Sequence, residues 1–251
     1  MATTQLVMVH GAFHSPAHFE PLTAYLEKHN YKCLPVALPS THRDKALSPA
    51  TLDDDIAAIR KVVLAALEHG DVAILAHSFG GMSSMSSFGN LTPGPRKAAG
   101  FSTAVTHAIL VASFFAPVDA GYTEVIVEGT PSIAVPDGEF MNIGPGRAEH
   151  YFYHDLPAAD AEKWTRLLKP ISMAALMGKA THAGWREVPV SYLFCTEDQA
   201  LPDFTQRGII EMARKYGVEM RVEEVMASHS PFLSMPERTG EFVRRSVGES
   251  I

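Results

Sequence analysis

Val72-Ala-Ile-Leu-Ala-His-Ser-Phe-Gly-Gly81 is an apolar run that stops at a small residue, turns through His77-Ser78-Phe79 and leaves through two glycines. A short apolar stretch bounded by such a turn reads as a buried strand, and the small residues after Gly80 read as a helix. The positions two before and two after Ser78 are Ala76 and Gly80. A turn tight enough to project Ser78 toward solvent leaves room for nothing larger there. The pattern is G-x-S-x-G with alanine in the first glycine position, the nucleophile-elbow motif. A helix starting near Gly80 would also aim its N–H groups at a centre where negative charge develops. Taken alone, five residues also fit a chance strand-to-helix turn.

Working outward, similar apolar runs occur at Leu6–Val9, Cys33–Leu38, Ala108–Ala112, Val190–Cys195 and Arg221–Val225, and each reads as a buried strand. Helical patterns lie between them. The clearest is Leu52–Glu68, with Ile56, Ile59, Val62, Val63 and Leu67 on one face and Thr51 as N-cap. Phe204–Tyr216, stopped by Gly217, and Pro236–Val247 read as the last two helices. Alternation of this kind predicts an α/β fold with a mostly parallel sheet of about six strands and helices on both faces.

Two further segments bear on Ser78. Leu6-Val-Met-Val-His-Gly-Ala-Phe-His14 is a strand running into His-Gly-Ala, the type of loop that supplies a second oxyanion-binding N–H in such sheets. The amides of Ala12 and Phe79 would then converge on one oxygen, and His10 would hold the loop by hydrogen bonds. A triad in the order Ser, acid, His needs a carboxylate and a base after later strands. Val190–Cys195 is followed by Glu197 and Asp198, and Arg221–Val225 by His229. Catalytic groups gather at the C-terminal strand ends of an open parallel sheet. Asp198 is preferred over Glu197 by motif position, and Glu197 reads as a solvated loop residue. Ser78, Asp198 and His229 are therefore the candidate catalytic residues.

From about Phe115 to Arg186 the alternation fails. Glycines, prolines and aromatics are scattered, with one amphipathic helix at Pro157–Leu168 and Asp155 as its possible cap. Residues 115–186 read as an inserted cap on a core made of 1–114 and 187–251. A second irregular piece, Ser87–Thr106, reads as a loop. Phe13, His14, Phe115, Tyr153, Trp164 and Trp185 are candidates for the substrate pocket, with Phe114, Phe140, Tyr151 and Phe152 beside them.

The 251 residues carry a formal charge of −7, 46% hydrophobic and 20% charged side chains. That balance is globular, contains no apolar run long enough to span a membrane, and offers no basic cluster for nucleic acid. Met1–Gln5 lead into the first strand without a basic or cleavage-type stretch, and Cys33 and Cys195 fall in apolar runs, so a cytoplasmic protein with reduced thiols is expected. His14 and His18 stand four apart without an acidic or Cys partner at ligand spacing, so no metal is expected and no cofactor is required.

Together HGAFH, AHSFGG, YLFCTEDQALP and SHSPFLSMPE resemble the α/β-hydrolase group that contains plant methylesterases, polyneuridine aldehyde esterase and hydroxynitrile lyases. The resemblance covers nearly the whole chain and is weakest through the cap. It implies Ser78 as nucleophile, His229 as base, Asp198 as its orienting acid, and the amides of Ala12 and Phe79 as oxyanion hole. In the lyase branch a threonine follows the first histidine and a lysine follows the triad histidine, whereas Gly11 and Ser230 stand here. The expected activity is hydrolysis of a neutral, mid-sized carboxylic ester or lactone. The alternatives are a non-hydrolytic lyase on the same residues and a small-molecule receptor built on the same scaffold.

Overall fold

The computed structural model describes residues 4–42 and 48–251. Met1 to Thr3, part of the stretch read for a leader, lie outside the described residues. Nine strands follow in order: β1 (Thr4–Val9), β2 (Tyr31–Val36), β3 (Val72–His77), β4 (Val105–Val111), β5 (Ala134–Asp137), β6 (Phe140–Ile143), β7 (Ile171–Ser172), β8 (Val190–Cys195) and β9 (Arg221–Val225). Six of them form one sheet in the order β2-β1-β3-β4-β8-β9, parallel throughout. This is the α/β-hydrolase architecture expected from the alternation.

Central and edge strands differ as their sequences dictate. All of β3 and β8 is buried, because helices cover both faces. The expectation that every run is a buried strand fails at β9, where Arg221 to Glu224 are largely exposed. It closes the sheet, and its charges discourage further pairing. The opposite edge, β2, carries Pro35, which an edge strand tolerates because no ladder bond is lost.

The helix Leu52–Leu67 begins where predicted. Thr51 Oγ1 accepts from the Asp54 amide at 3.4 Å while Asp54 Oδ2 accepts from the Thr51 amide at 2.8 Å, a reciprocal cap. Ile56, Ile59, Val63 and Leu67 form its buried face. The two later helices span Asp203–Lys215 and Pro236–Ser246. Ser87–Thr106 is less irregular than expected, since Pro93–Ala98 forms a short helix.

Between the neighbouring strands β4 and β8 the chain makes a long excursion. It holds the small antiparallel sheet β5-β6-β7, which no sequence period announced, and several short helices. The expected amphipathic helix is shorter, Ala158–Thr165, and Pro157 takes the cap position. Asp155 is drawn away because its Oδ2 accepts from the Ser228 amide at 2.9 Å. Cys33 and Cys195 are free thiols, pushed up by burial, Cys33 to about 12. No helix among the described residues is long and apolar enough to cross a membrane.

Candidate active site

The register sets Val9 of β1 beside Ala76 of β3, so the loops leaving these two strands face one another. Ser78 has φ 51°, a left-handed conformation that costs a non-glycine residue about 1–3 kcal/mol and persists only where the surroundings hold it. They do so here. The Ser78 amide donates to Val111 O at 3.3 Å, and its carbonyl accepts from Ser113 Oγ at 2.7 Å. Gly80 follows because a Cβ there would stand 2.6 Å from His10 O and 2.7 Å from Val9 O. Gly11 is required for the same reason: its Cβ would meet Ser78 Cβ at 2.7 Å and His77 Nδ1 at 2.9 Å. Gly80 lies against the backbone of the first loop and Gly11 against the side chains of Ser78 and His77, and neither leaves room for a Cβ.

Asp198 and His229, in the loops after β8 and β9, come together. His229 Nδ1 lies 2.7 Å from Asp198 Oδ2. The other carboxylate oxygen accepts from the amides of Ala200 and Leu201, each at 2.8 Å, so both oxygens are held. A carboxylate accepts, hence His229 Nδ1 carries a proton and donates it to Asp198. Asp198 is buried, whereas Glu197 is exposed. Of these two carboxylates, Asp198 is the one that bonds the imidazole.

The carbonyl of His229 is itself tied down, at 3.0 Å from His77 Nε2. That bond makes His77 the Nε2–H tautomer, and burial holds the ring well below the usual imidazole range, so it stays neutral. His10 acts similarly on the first loop. Its Nε2 accepts from the Leu38 amide at 3.3 Å, which leaves Nδ1–H to donate to Gly11 O at 2.9 Å. Burial lowers His10 to about 4. The Gly11 carbonyl belongs to the peptide whose other end is the Ala12 N–H. The amides of Ala12 and Phe79 donate to no protein group among the described residues.

Ala12, Phe79, Ser78 and His229 all line one cavity of about 300 Å³. Most of its remaining wall comes from the excursion between β4 and β8, and among the described residues no Asp, Glu, Lys or Arg faces it. Phe13, Phe114 and Phe152 line it too. The other candidate pocket residues do not. Phe115 and Trp185 pack against each other, with ring centroids 5.0 Å apart and Trp185 Nε1 donating to Ala116 O. Trp164 packs on His18, Phe140 on His42, and Tyr153 and His14 are bonded to one another beneath the wall. Large aromatics here fill the interior. The wall uses thinner side chains that sequence reasoning missed, including Tyr122, Met141, Met173, Leu176 and Met177. Met173, Leu176 and Met177 repeat at i, i+3 and i+4, a one-faced helical signal present in the sequence. His14 and His18 pack edge to face at 4.7 Å and spend their ring nitrogens on protein partners.

A family model described as "Alpha/beta hydrolase family" matches residues 6–242. The chain belongs to the alpha/beta hydrolase family. Alpha/beta hydrolase nvfD of Aspergillus novofumigatus (strain IBT 16806) is 27% identical over 256 residues, 100% of this chain and 99% of its own length. Among solved structures, polyneuridine aldehyde esterase aligns with this hydrolase at a TM-score of 0.76 and 20% identity, over 97% of this chain and 99% of that one. A pyrethroid hydrolase from Sphingobium faniae JZ-2 aligns at 0.77 and 20% identity, over 96% of each chain. At these identities the structural likeness is one of fold.

Proposed function

We propose that this hydrolase cleaves a carboxylic ester through an acyl-serine intermediate on Ser78. Ser78 Oγ attacks the ester carbonyl while His229 Nε2 takes its proton, and the imidazolium is stabilised by Asp198 at Nδ1. The oxyanion is received by the amides of Ala12 and Phe79, two donors already desolvated and unspent. His229 then returns the proton to the leaving alcohol, and water releases the acid by the same steps. The observation that carries this reading is the Asp198–His229 contact at the rim of the cavity that Ser78 also faces.

The substrate is a neutral, mid-sized, largely apolar ester or lactone, because the wall formed by the described residues carries no charged side chain to pair with a carboxylate or ammonium group. The esterase and hydrolase names among its relatives fit that chemistry. Residues 115–186 serve as the cap that selects it. Two free thiols, Cys195 buried and Cys33 half-buried, suit a reducing, cytoplasmic setting. Cyanohydrin cleavage is the weaker reading, since position 11 has no room for a hydroxyl-bearing side chain. A panel of chromogenic esters of increasing acyl length, with and without a fluorophosphonate, tests the proposal. Turnover of neutral esters that the inhibitor stops is expected; hydrolysis indifferent to the inhibitor would contradict it.

A further inference from the structure

Four consecutive residues of the excursion, Phe152-Tyr153-His154-Asp155, reach three of the four loops that carry the site, those of Ala12, Asp198 and His229. At the first loop, Tyr153 Oη lies 3.1 Å from His14 Nε2, and His14 Nδ1 lies 2.8 Å from Ala12 O. A carbonyl only accepts, and burial keeps the His14 ring neutral, well below the usual imidazole range. Its single proton is therefore on Nδ1, Nε2 is bare, and Tyr153 must donate. The proton order is fixed from the cap to the carbonyl of Ala12.

At the loop after β9, the Ser228 amide donates to Asp155 Oδ2 at 2.9 Å and Ser228 Oγ donates to Phe152 O at 2.8 Å. The Phe152 ring lies over the neighbouring His229 imidazole, centroids 5.5 Å apart and planes 29° from parallel. At the loop after β8, His154 Nε2 donates to Glu197 O at 2.8 Å, one residue before Asp198. These loops leave three different strands; those after β8 and β9 also touch directly, Glu197 N donating to Ala227 O at 3.2 Å beside the Asp198–His229 contact, and the strap adds the Ala12 loop to that pair. Of the four residues only Phe152 lines the cavity.

We propose that residues 152–155 form a positioning strap that sets the Ala12, Asp198 and His229 loops in register, so that the cap and the reacting groups are held as one body. The proposal rests on the reading of Ser78, His229, Asp198 and the Ala12 amide given above. Tyr153, His154 and Asp155 are positioning residues, acting through His14, Glu197 and Ser228. A loop displaced by a fraction of an ångström changes attack geometry more than it changes binding.

The test is the second-order rate at which a fluorophosphonate labels Ser78 in the full-length protein, measured for Tyr153→Phe, Asp155→Ala and Asp155→Asn. Labelling forms the Ser78 Oγ–phosphorus bond and expels fluoride, with His229 taking the proton, so it reads the reacting geometry directly. A partly unfolded sample lowers the amplitude but not the rate of its folded fraction, which separates positioning from stability alone. Tyr153→Phe strands His14 Nε2, and Asp155→Ala strands the Ser228 amide; each is expected to slow labelling about tenfold, within the hundredfold that a 1 Å misplacement costs. Asp155→Asn keeps an acceptor oxygen and is expected to recover most of the rate lost in Asp155→Ala. Full-speed labelling of both Tyr153→Phe and Asp155→Ala would overturn the strap while leaving the site intact. An Asn variant as slow as Ala would also overturn it, in favour of the Asp155 charge. Unmodified protein that takes no label at Ser78 would instead sink the reading of the site on which the strap depends.

Discussion

Every residue of β3 and β8 is buried, while the excursion between β4 and β8 buries its aromatics through particular ring contacts with no common period, as in Trp185 on Phe115 or Trp164 on His18. The first kind of burial is periodic and places chemistry at the strand ends whatever the substrate. The second is irregular and shapes the volume that a substrate must fit. Changes at the strand ends should therefore remove turnover, and changes in the excursion should alter what is turned over.

The largest effect belongs to Ser78→Ala, which should lower kcat by about 10⁶ with an unchanged circular dichroism spectrum, as in the protease precedent. A variant retaining a tenth of the activity would show that the strand ends do not carry the reaction. Next, Asp198→Asn should cost about 10⁴ in kcat, because the amide cannot fix the His229 tautomer or balance the imidazolium. Glu197→Gln should be nearly silent, its carboxylate being exposed and screened. The reverse ranking in steady-state kinetics would reassign the acid.

Buried histidines near the strand ends make a stability prediction of definite sign. Burial lowers His10 and His18 from the usual 6.5 to about 4. Between those values the unfolded chain binds protons that the folded one refuses, so this stabilisation is complete above pH 6.5 and is lost as pH falls toward 4. Each contributes roughly 3 kcal/mol, an order-of-magnitude figure from the size of the shift. Asp55, raised by burial from 3.8 to about 6, works in the opposite sense, favouring the folded state below pH 3.8 and losing that contribution as pH rises toward 6. It is one group against four, since burial lowers His14 and His77 as well. Urea midpoints at pH 7 and pH 4.5 should fall clearly on acidification; equal midpoints would refute the account of these rings.

In the excursion, Met173→Ala should raise KM for a bulky neutral ester about tenfold with kcat little changed, since a shortened apolar wall loses roughly 1–3 kcal/mol of binding. A fall in kcat instead would mean that the wall also positions the reacting groups. The smallest effect is expected from EDTA. Turnover should not change, because the proposed mechanism assigns the oxyanion to backbone amides; loss restored by added zinc would contradict this.

What the sequence made legible follows the same division. Ala76, Ser78 and Gly80 announce the turn because a tight strand-to-helix corner tolerates only small neighbours, and Asp198 follows the unmistakable apolar run Val190–Cys195, whereas the strand before His229 is charged and largely exposed. The excursion was opaque because its order comes from unique contacts. Nothing local says that Asp155 would leave a helix cap for the Ser228 amide, or that Tyr153 would point at His14 and away from the cavity. Met173, Leu176 and Met177 were readable by spacing but were eclipsed by the search for aromatics. Gly11 carried a message only the structure decodes, since its partner at 2.7 Å is Ser78, 67 residues later.

The central claim is that Ser78 becomes covalently bonded during turnover. Protein trapped with a fluorophosphonate and digested should show by mass spectrometry one adduct, on the peptide containing Ser78, and none in Ser78→Ala. An adduct on another residue, or one undiminished in Ser78→Ala, would contradict it.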